Sequence, residues 1–260
     1  MAEFVKRNNC APAHFFACEA AGLRWLADVA GGVPCAQVIG HTDHSLTLQR
    51  LTCAVPTPEA AREFGRRLAT THNAGAAAFG AAPDGWRGDG YFGPLSRPLP
   101  MTYSACDSWG EFYAHERLVP MADMAAARLS RQDRAHVDQV ARRCLNGDFD
   151  SDDAPARLHG DLWSGNVVWT SRGAVLIDPA AHGGHRETDL AMLALFGCPF
   201  LGEIVDAYQH VCPLRAGWKE RVGLHQLYPL LAHVVLFGRD YVAQTVAAAR
   251  SALACGPSRS

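Results

Sequence analysis

The sequence predicts an α+β protein of two lobes, a small strand-bearing one over residues 1–55 and a larger, mainly helical one over residues 56–260. Three observations point there. Ser45 to Leu51 alternates with the period of a half-buried strand, Leu46 and Leu48 set against Thr47 and Gln49. Two short apolar runs, Val167-Val168-Trp169 and Ala174-Val175-Leu176-Ile177, flank Ser171-Arg172-Gly173 and read as a hairpin. Beyond Glu187 the apolar spacing is helical almost to the C-terminus.

The elements follow in order. Phe4-Val5-Lys6 is short and apolar, as at the end of a strand. From Ala13 to Ala30 the apolar residues Phe15, Phe16, Ala20, Leu23 and Leu26 fall at helical spacing, and Gly31-Gly32 stops the helix. Thr52 to Pro58 reads as the hinge between the lobes. Thr57 is a good N-cap with Pro58 at the first helical position, opening a helix through about Asn73. A loop rich in Gly and Pro is expected from Gly75 to Asp107. Ser108-Trp109-Gly110-Glu111 has the capping-box pattern for the next helix, and Ser130-Arg131-Gln132-Asp133 opens another.

Composition narrows the function. At 260 residues and 48% hydrophobic, the chain can bury one large core or two modest ones. A net charge of −2 provides no field for nucleic acid or an anionic membrane. The opening segment lacks the apolar core of an export signal, and the longest apolar tract, Leu227 to Gly238, is interrupted by His233 and too short to cross a bilayer. Nine cysteines stand at irregular intervals with no C-x-x-C pair, which argues against a zinc site and against a secreted disulfide framework. Reduced thiols in a cytoplasmic protein are expected.

The chemistry concentrates in Leu158-His159-Gly160-Asp161-Leu162-Trp163-Ser164-Gly165-Asn166 and in Ile177-Asp178-Pro179. Asp161 and Asn166 are five residues apart, the spacing of the H-x-D-x-x-x-x-N catalytic loop of kinases. The hairpin brings Asp178, twelve residues further on, back beside Asn166. A hydroxyl attacking the γ-phosphorus of ATP must lose a proton, so a carboxylate within hydrogen-bond reach suffices as base, and Asp161 fits. Asn166 can ligate Mg²⁺ without adding negative charge beside the phosphates, and Asp178 supplies the anionic oxygen that this hard cation prefers.

These motifs resemble the fructosamine kinase (ketosamine-3-kinase) family. The resemblance extends to Gly184-His185-Arg186-Glu187-Thr188-Asp189-Leu190-Ala191-Met192, to Gln226-Leu227-Tyr228-Pro229-Leu230-Leu231, and to His233, Phe237-Gly238 and Tyr241. It runs from about Phe4 to about Val246. Trp163 separates it from aminoglycoside and choline kinases, which share the HGD but carry other residues there. The resemblance implies a protein-kinase-like two-lobed fold with a truncated N-lobe sheet and a mainly helical C-lobe. It places Lys6 on the phosphates of ATP and Glu19 as the partner of that lysine. It assigns Asp189 to holding the catalytic-loop amides and His159 to bonding the loop backbone. The remaining histidines are expected to be ordinary surface or core residues.

The resemblance further implies ATP-dependent phosphorylation of the 3-hydroxyl of a small-molecule or protein-bound ketosamine, after which the adduct breaks down and frees the amine. The chain departs from the family in places. Lys6 leaves no room before it for the two strands and the glycine-rich loop that cover the phosphates, so a partial N-lobe is expected. Gly90 and Arg97 stand where amides are usual, Met121 where Gln is, and Gln49-Arg50-Leu51 replaces a more acidic segment. Two rival readings stay open: another hydroxyl kinase of this fold, acting on an aminoglycoside or amino alcohol, and a non-catalytic pseudokinase.

Overall fold

A computed structural model of the chain describes residues 2–256. Strand β1 (Glu3–Arg7) pairs antiparallel with β3 (Ser45–Gln49), which pairs in turn with β2 (Val38–Thr42), giving the sheet order β1-β3-β2. Helix α1 (Phe15–Ala27) lies between β1 and β2 in sequence. The alternation read from residues 45–51 is real: Leu46 and Leu48 are buried and meet Phe16, Ala20 and Leu23 of α1 in one cluster. Ile177 and Tyr91 pack against the same cluster, so the small sheet and the hairpin that precedes Asp178 share a core.

The chain then runs in coil to α2 (Pro58–Asn73), whose Thr57 hydroxyl accepts from the Ala60 amide at 3.2 Å as its residue type demands. The segment expected as loop carries a short hairpin, β4 (Gly90–Phe92) with β5 (Leu99–Met101). Three-residue strands interrupted by Gly and Pro are too short to show a period, which is why the sequence hides them. Helix α3 (Trp109–Phe112) begins at Ser108, whose hydroxyl accepts from the Glu111 amide at 3.1 Å. It continues as a π-helical turn (Tyr113–Leu118) into α4 (Val119–Met124). Helix α5 (Arg131–Leu145) has the full capping box, Ser130 and Asp133 bonding each other's backbone.

After α5 come β6 (Ala156–Leu158), the hairpin β7 (Val167–Thr170) and β8 (Gly173–Leu176), and β9 (His182–Gly184), which returns to pair with β6. Four helices finish the described chain or nearly so: α6 (Glu187–Leu195), α7 (Leu201–Val211), α8 (Trp218–Phe237) and α9 (Val242–Ala254). No helix of the described residues is long and apolar enough to cross a membrane. One core cluster joins Phe64 and Leu68 of α2, Trp169 and Leu176 of the hairpin, and Ile204 and Tyr208 of α7. A second, larger one fills the space among α3, α5, α8 and α9.

The α2–α7 contact is closer than side chains permit. A Cβ at Gly65 would run into the backbone carbonyl of Ile204, so glycine is required for the helices to approach. Gly65→Ala is expected to destabilise the fold by about 1–3 kcal/mol, since backbone rather than a flexible side chain must move. Urea unfolding of the two proteins checks this; an unchanged midpoint would contradict it.

Candidate active site

The loop between β6 and β7 is held from below by one carboxylate. Asp189, in the first turn of α6 and fully buried, accepts from the His159 amide at 2.8 Å and the Gly160 amide at 2.9 Å. Burial opposes its charge, but His72, His159 and the Gly160 amide keep this carboxyl below the usual carboxylate range. Gly160 sits at φ +82°, and a Cβ there would strike the Ala180 carbonyl and the His182 ring. That left-handed step turns the chain so that Asp161 faces outward while its two predecessors stay bonded inside.

His159 joins the loop to the hairpin. Its Nε2 lies 2.8 Å from the Ile177 carbonyl and its Nδ1 accepts from the Asp161 amide at 3.2 Å, so the proton sits on Nε2. Burial pushes the imidazole below its ordinary value, consistent with a neutral ring. The Ile177 amide donates to the Asn166 carbonyl at 3.1 Å, which fixes the next residue, Asp178, beside Asn166. Asp178 takes φ +54° just before Pro179, a left-handed conformation disfavoured for such a residue. Strain of this kind costs on the order of 1–3 kcal/mol and clusters at functional sites.

All five residues singled out in the sequence line one cavity of about 490 Å³. Lys6 Nζ reaches both Glu19 oxygens, at 2.8 and 2.9 Å, and Asp178 Oδ1 at 3.0 Å. Burial works against the Lys6 charge, yet the two carboxylates hold its pKa above the ordinary value. Burial likewise pushes the Glu19 carboxyl up, and Lys6 is the group that opposes this. Asn166 donates Nδ2 to the Asp161 carbonyl at 2.7 Å and to Asp161 Oδ2 at 3.2 Å. Its Oδ1 is thereby left free, next to an Asp178 carboxylate with one oxygen on Lys6. Two hard oxygens from adjacent positions, with room for phosphate oxygens and water, suit Mg²⁺.

The opposite wall of the cavity is aromatic. Trp163 meets Phe196 edge-on with centroids 6.3 Å apart, and Phe196, His233, Phe237 and Tyr241 continue the surface at centroid spacings of 4.9 to 5.9 Å. Tyr91 and Phe92 of β4 close it from another side. These residues come from β4, the end of α6, α8 and the turn before α9, so no local pattern announces them as one wall. Trp163 is placed by Gly165, at which a Cβ would enter the indole.

The histidines expected to be ordinary are a correction. His72 bridges Asp189 and Tyr208, and His185 and His225 stand with Glu187 in a buried cluster. The cluster has the residue types of a metal site, but its ligand atoms are taken. Arg221 covers both Glu187 oxygens at 2.6 and 2.9 Å. His185 contacts the Glu187 amide and Asp153, and His225 contacts Thr188 and Glu187. It is an internal ion-pair network tying α6 to α8.

Desolvation pushes the Asp161 carboxyl up to about 7. A carboxyl whose folded-state pKa is raised costs stability where it must ionise, so the cost grows as pH rises from the unfolded-state value toward 7 and levels off above it. Asp161→Asn is therefore expected to raise the Tm of the ligand-free protein at pH 8, the gain shrinking as pH falls to 5. A gain independent of pH would contradict this.

A family model described as fructosamine kinase matches residues 2–254. The chain is 35% identical over 246 residues to a probable ketoamine kinase of Enterococcus faecium, covering 94% of this chain and 84% of that one. A crystal structure provisionally described as a fructosamine-3-kinase, from Thermobifida fusca, superposes with a TM-score of 0.89 at 48% identity, over 97% of this chain and 86% of that one. An aminoglycoside phosphotransferase in a ternary complex with streptomycin and ATP superposes with a TM-score of 0.60 at 13% identity, over 95% and 84% of the two chains. That likeness carries the fold alone, which is protein-kinase-like. With a family model matched over nearly every residue and a relative 35% identical across almost the whole chain, the chain belongs to the fructosamine kinase family.

Proposed function

We propose that this ATP-dependent small-molecule kinase phosphorylates the 3-hydroxyl of ketosamines and so promotes release of the amine. One observation carries the reading: Lys6, Asp161, Asn166 and Asp178 line the same cavity as an aromatic wall suited to a sugar. Asp161 orients the acceptor hydroxyl and takes its proton as the O–P bond forms. Asn166 and Asp178 hold Mg²⁺, and Lys6, oriented by Glu19, contacts the nucleotide phosphates. The metal, when bound, neutralises charge developing between the β- and γ-phosphates. ATP would lie between the small sheet with α1 and the larger helical part of the chain.

The acceptor wall supports a ketosamine over an aminoglycoside. Beyond Lys6, Glu19, Asp161, Asn166 and Asp178, the cavity is lined by apolar and aromatic side chains and His233, which burial holds below its ordinary pKa. A polycationic antibiotic needs several carboxylates, whereas the C–H face of one sugar can lie against rings. The position of transfer rests on the family and on the "3-kinase" description of the Thermobifida relative. Nine unpaired cysteines suit a reducing, cytoplasmic setting.

The test is phosphate transfer from ATP to a fructosamine, a ribulosamine, an aminoglycoside and choline, with the product read by ³¹P NMR. The 3-phosphate of a ketosamine is expected, and Asp161→Ala should lower kcat by about 10²–10⁴-fold. Transfer to the aminoglycoside at equal rate, or an Asp161→Ala variant as fast as wild type, would overturn the reading.

A further inference from the structure

Behind the catalytic loop, away from the cavity, three polar side chains from three helices form a line that the chemistry above does not use. Tyr208 Oη of α7 lies 2.9 Å from His72 Nδ1 of α2, and His72 Nε2 lies 3.2 Å from Asp189 Oδ2 of α6. Tyr208 and Asp189 are 0% exposed and His72 is 1% exposed, so water cannot take the place of any of them. The same Asp189 oxygen accepts from the His159 amide, and the other accepts from the Gly160 amide.

We propose that Tyr208 and His72 are positioning residues for phosphoryl transfer: they fix the plane of the Asp189 carboxylate, and through it the His159 and Gly160 amides that aim Asp161. The inference rests on the reading of Asp161 as the base.

The hydrogen-bond logic runs in one direction. Asp189 is ionised and only accepts, so His72 must present an N–H at Nε2. With the Nε2 proton directed at Asp189, the Nδ1 position faces the Tyr208 hydroxyl, which can complete it. Tyr208 supplies a donor there, since burial raises its phenol further above the ordinary value and keeps the proton on oxygen. The carboxylate thus sets the imidazole tautomer, the hydroxyl satisfies the remaining ring nitrogen, and the imidazole so anchored holds the carboxylate. This is the logic of a hydroxyl–imidazole–carboxylate triad with its ends reversed: the carboxylate faces the reaction and the hydroxyl anchors. Without His72 the carboxylate would keep two amide donors but lose the third contact that fixes its rotation. Below, the close approach of Gly65 to the Ile204 carbonyl prevents α2 and α7 from sliding, so the Tyr208–His72 distance is set by backbone packing.

Tyr208→Phe removes a single O–H and keeps the ring, which also packs edge-on against His72 at 5.5 Å between centroids. Two readouts are taken on the full chain: kcat and KM with Mg-ATP and a ketosamine, and amide hydrogen exchange. Tyr208→Phe is expected to lower kcat about 10-fold while KM for ATP stays within about 2-fold, the range seen when an orienting partner of a functional side chain is lost. Exchange should quicken at His159 and Gly160 but not along α2 or α7. His72→Gln, which can still offer an N–H to Asp189, should retain more activity than His72→Ala. Wild-type kcat with unchanged exchange at both amides would overturn the proposal. So would exchange quickened throughout α2 and α7, because the role would then be general stability. If wild type phosphorylates no ketosamine, the acceptor reading fails; unchanged exchange at His159 and Gly160 would then overturn the holding role separately.

Discussion

The Lys6 ammonium is the charge on which the site depends. It touches Glu19 of α1 and Asp178 of the hairpin at once, so the sheet, the helix and the catalytic hairpin have their positions set by one group. Three charges in a shallow interior would be costly apart. Lys6 offsets part of the desolvation of Glu19, whereas the half-exposed Asp178 opposes the ionisation of Glu19, so removing Lys6 would leave a buried carboxylate without its counter-charge. In the proposed mechanism phosphate oxygens would take over the Lys6–Asp178 contact and leave Asp178 to a metal, while Glu19 would keep the lysine in place.

Around that ion group the backbone takes two left-handed steps, one strained and one that only glycine permits without strain. Asp178 is left-handed before a proline, and Gly160 is left-handed against the Ala180 carbonyl. The strain is supported by bonds that converge from outside the cavity: His159 to the Ile177 carbonyl, the Ile177 amide to Asn166, and Asp189 to two loop amides. The loop is therefore stiff where it carries Asp161, and the side chains that do chemistry stand on residues whose neighbours are fully bonded.

Much of this was legible in the sequence, for identifiable reasons. The spacing of Asp161, Asn166 and Asp178 is a short-range signal, because a tight loop and a hairpin turn local separation directly into proximity. Thr57, Ser108 and Ser130 announced their helices by cap chemistry, though Glu111 does not complete the box that its position suggested. Lys6 and Glu19 were found through family resemblance alone, since nothing local marks a lysine near a chain end. The β4–β5 hairpin was missed because three residues show no period. The aromatic wall and the Tyr208–His72–Asp189 line were missed for a deeper reason: their members are far apart in sequence, His72 and Tyr208 by 136 residues, and only tertiary packing brings them together. Long-range polar networks leave no mark in periodicity, and each histidine in one looks like any other.

The most direct test of the central claim is isothermal titration of the chain with Mg-ATP, alongside Asp178→Ala. Saturable binding that the variant loses is the predicted result, because Lys6, Asn166 and Asp178 together would form the phosphate and metal site. Equal binding by wild type and variant, or none by folded wild type, would contradict the account.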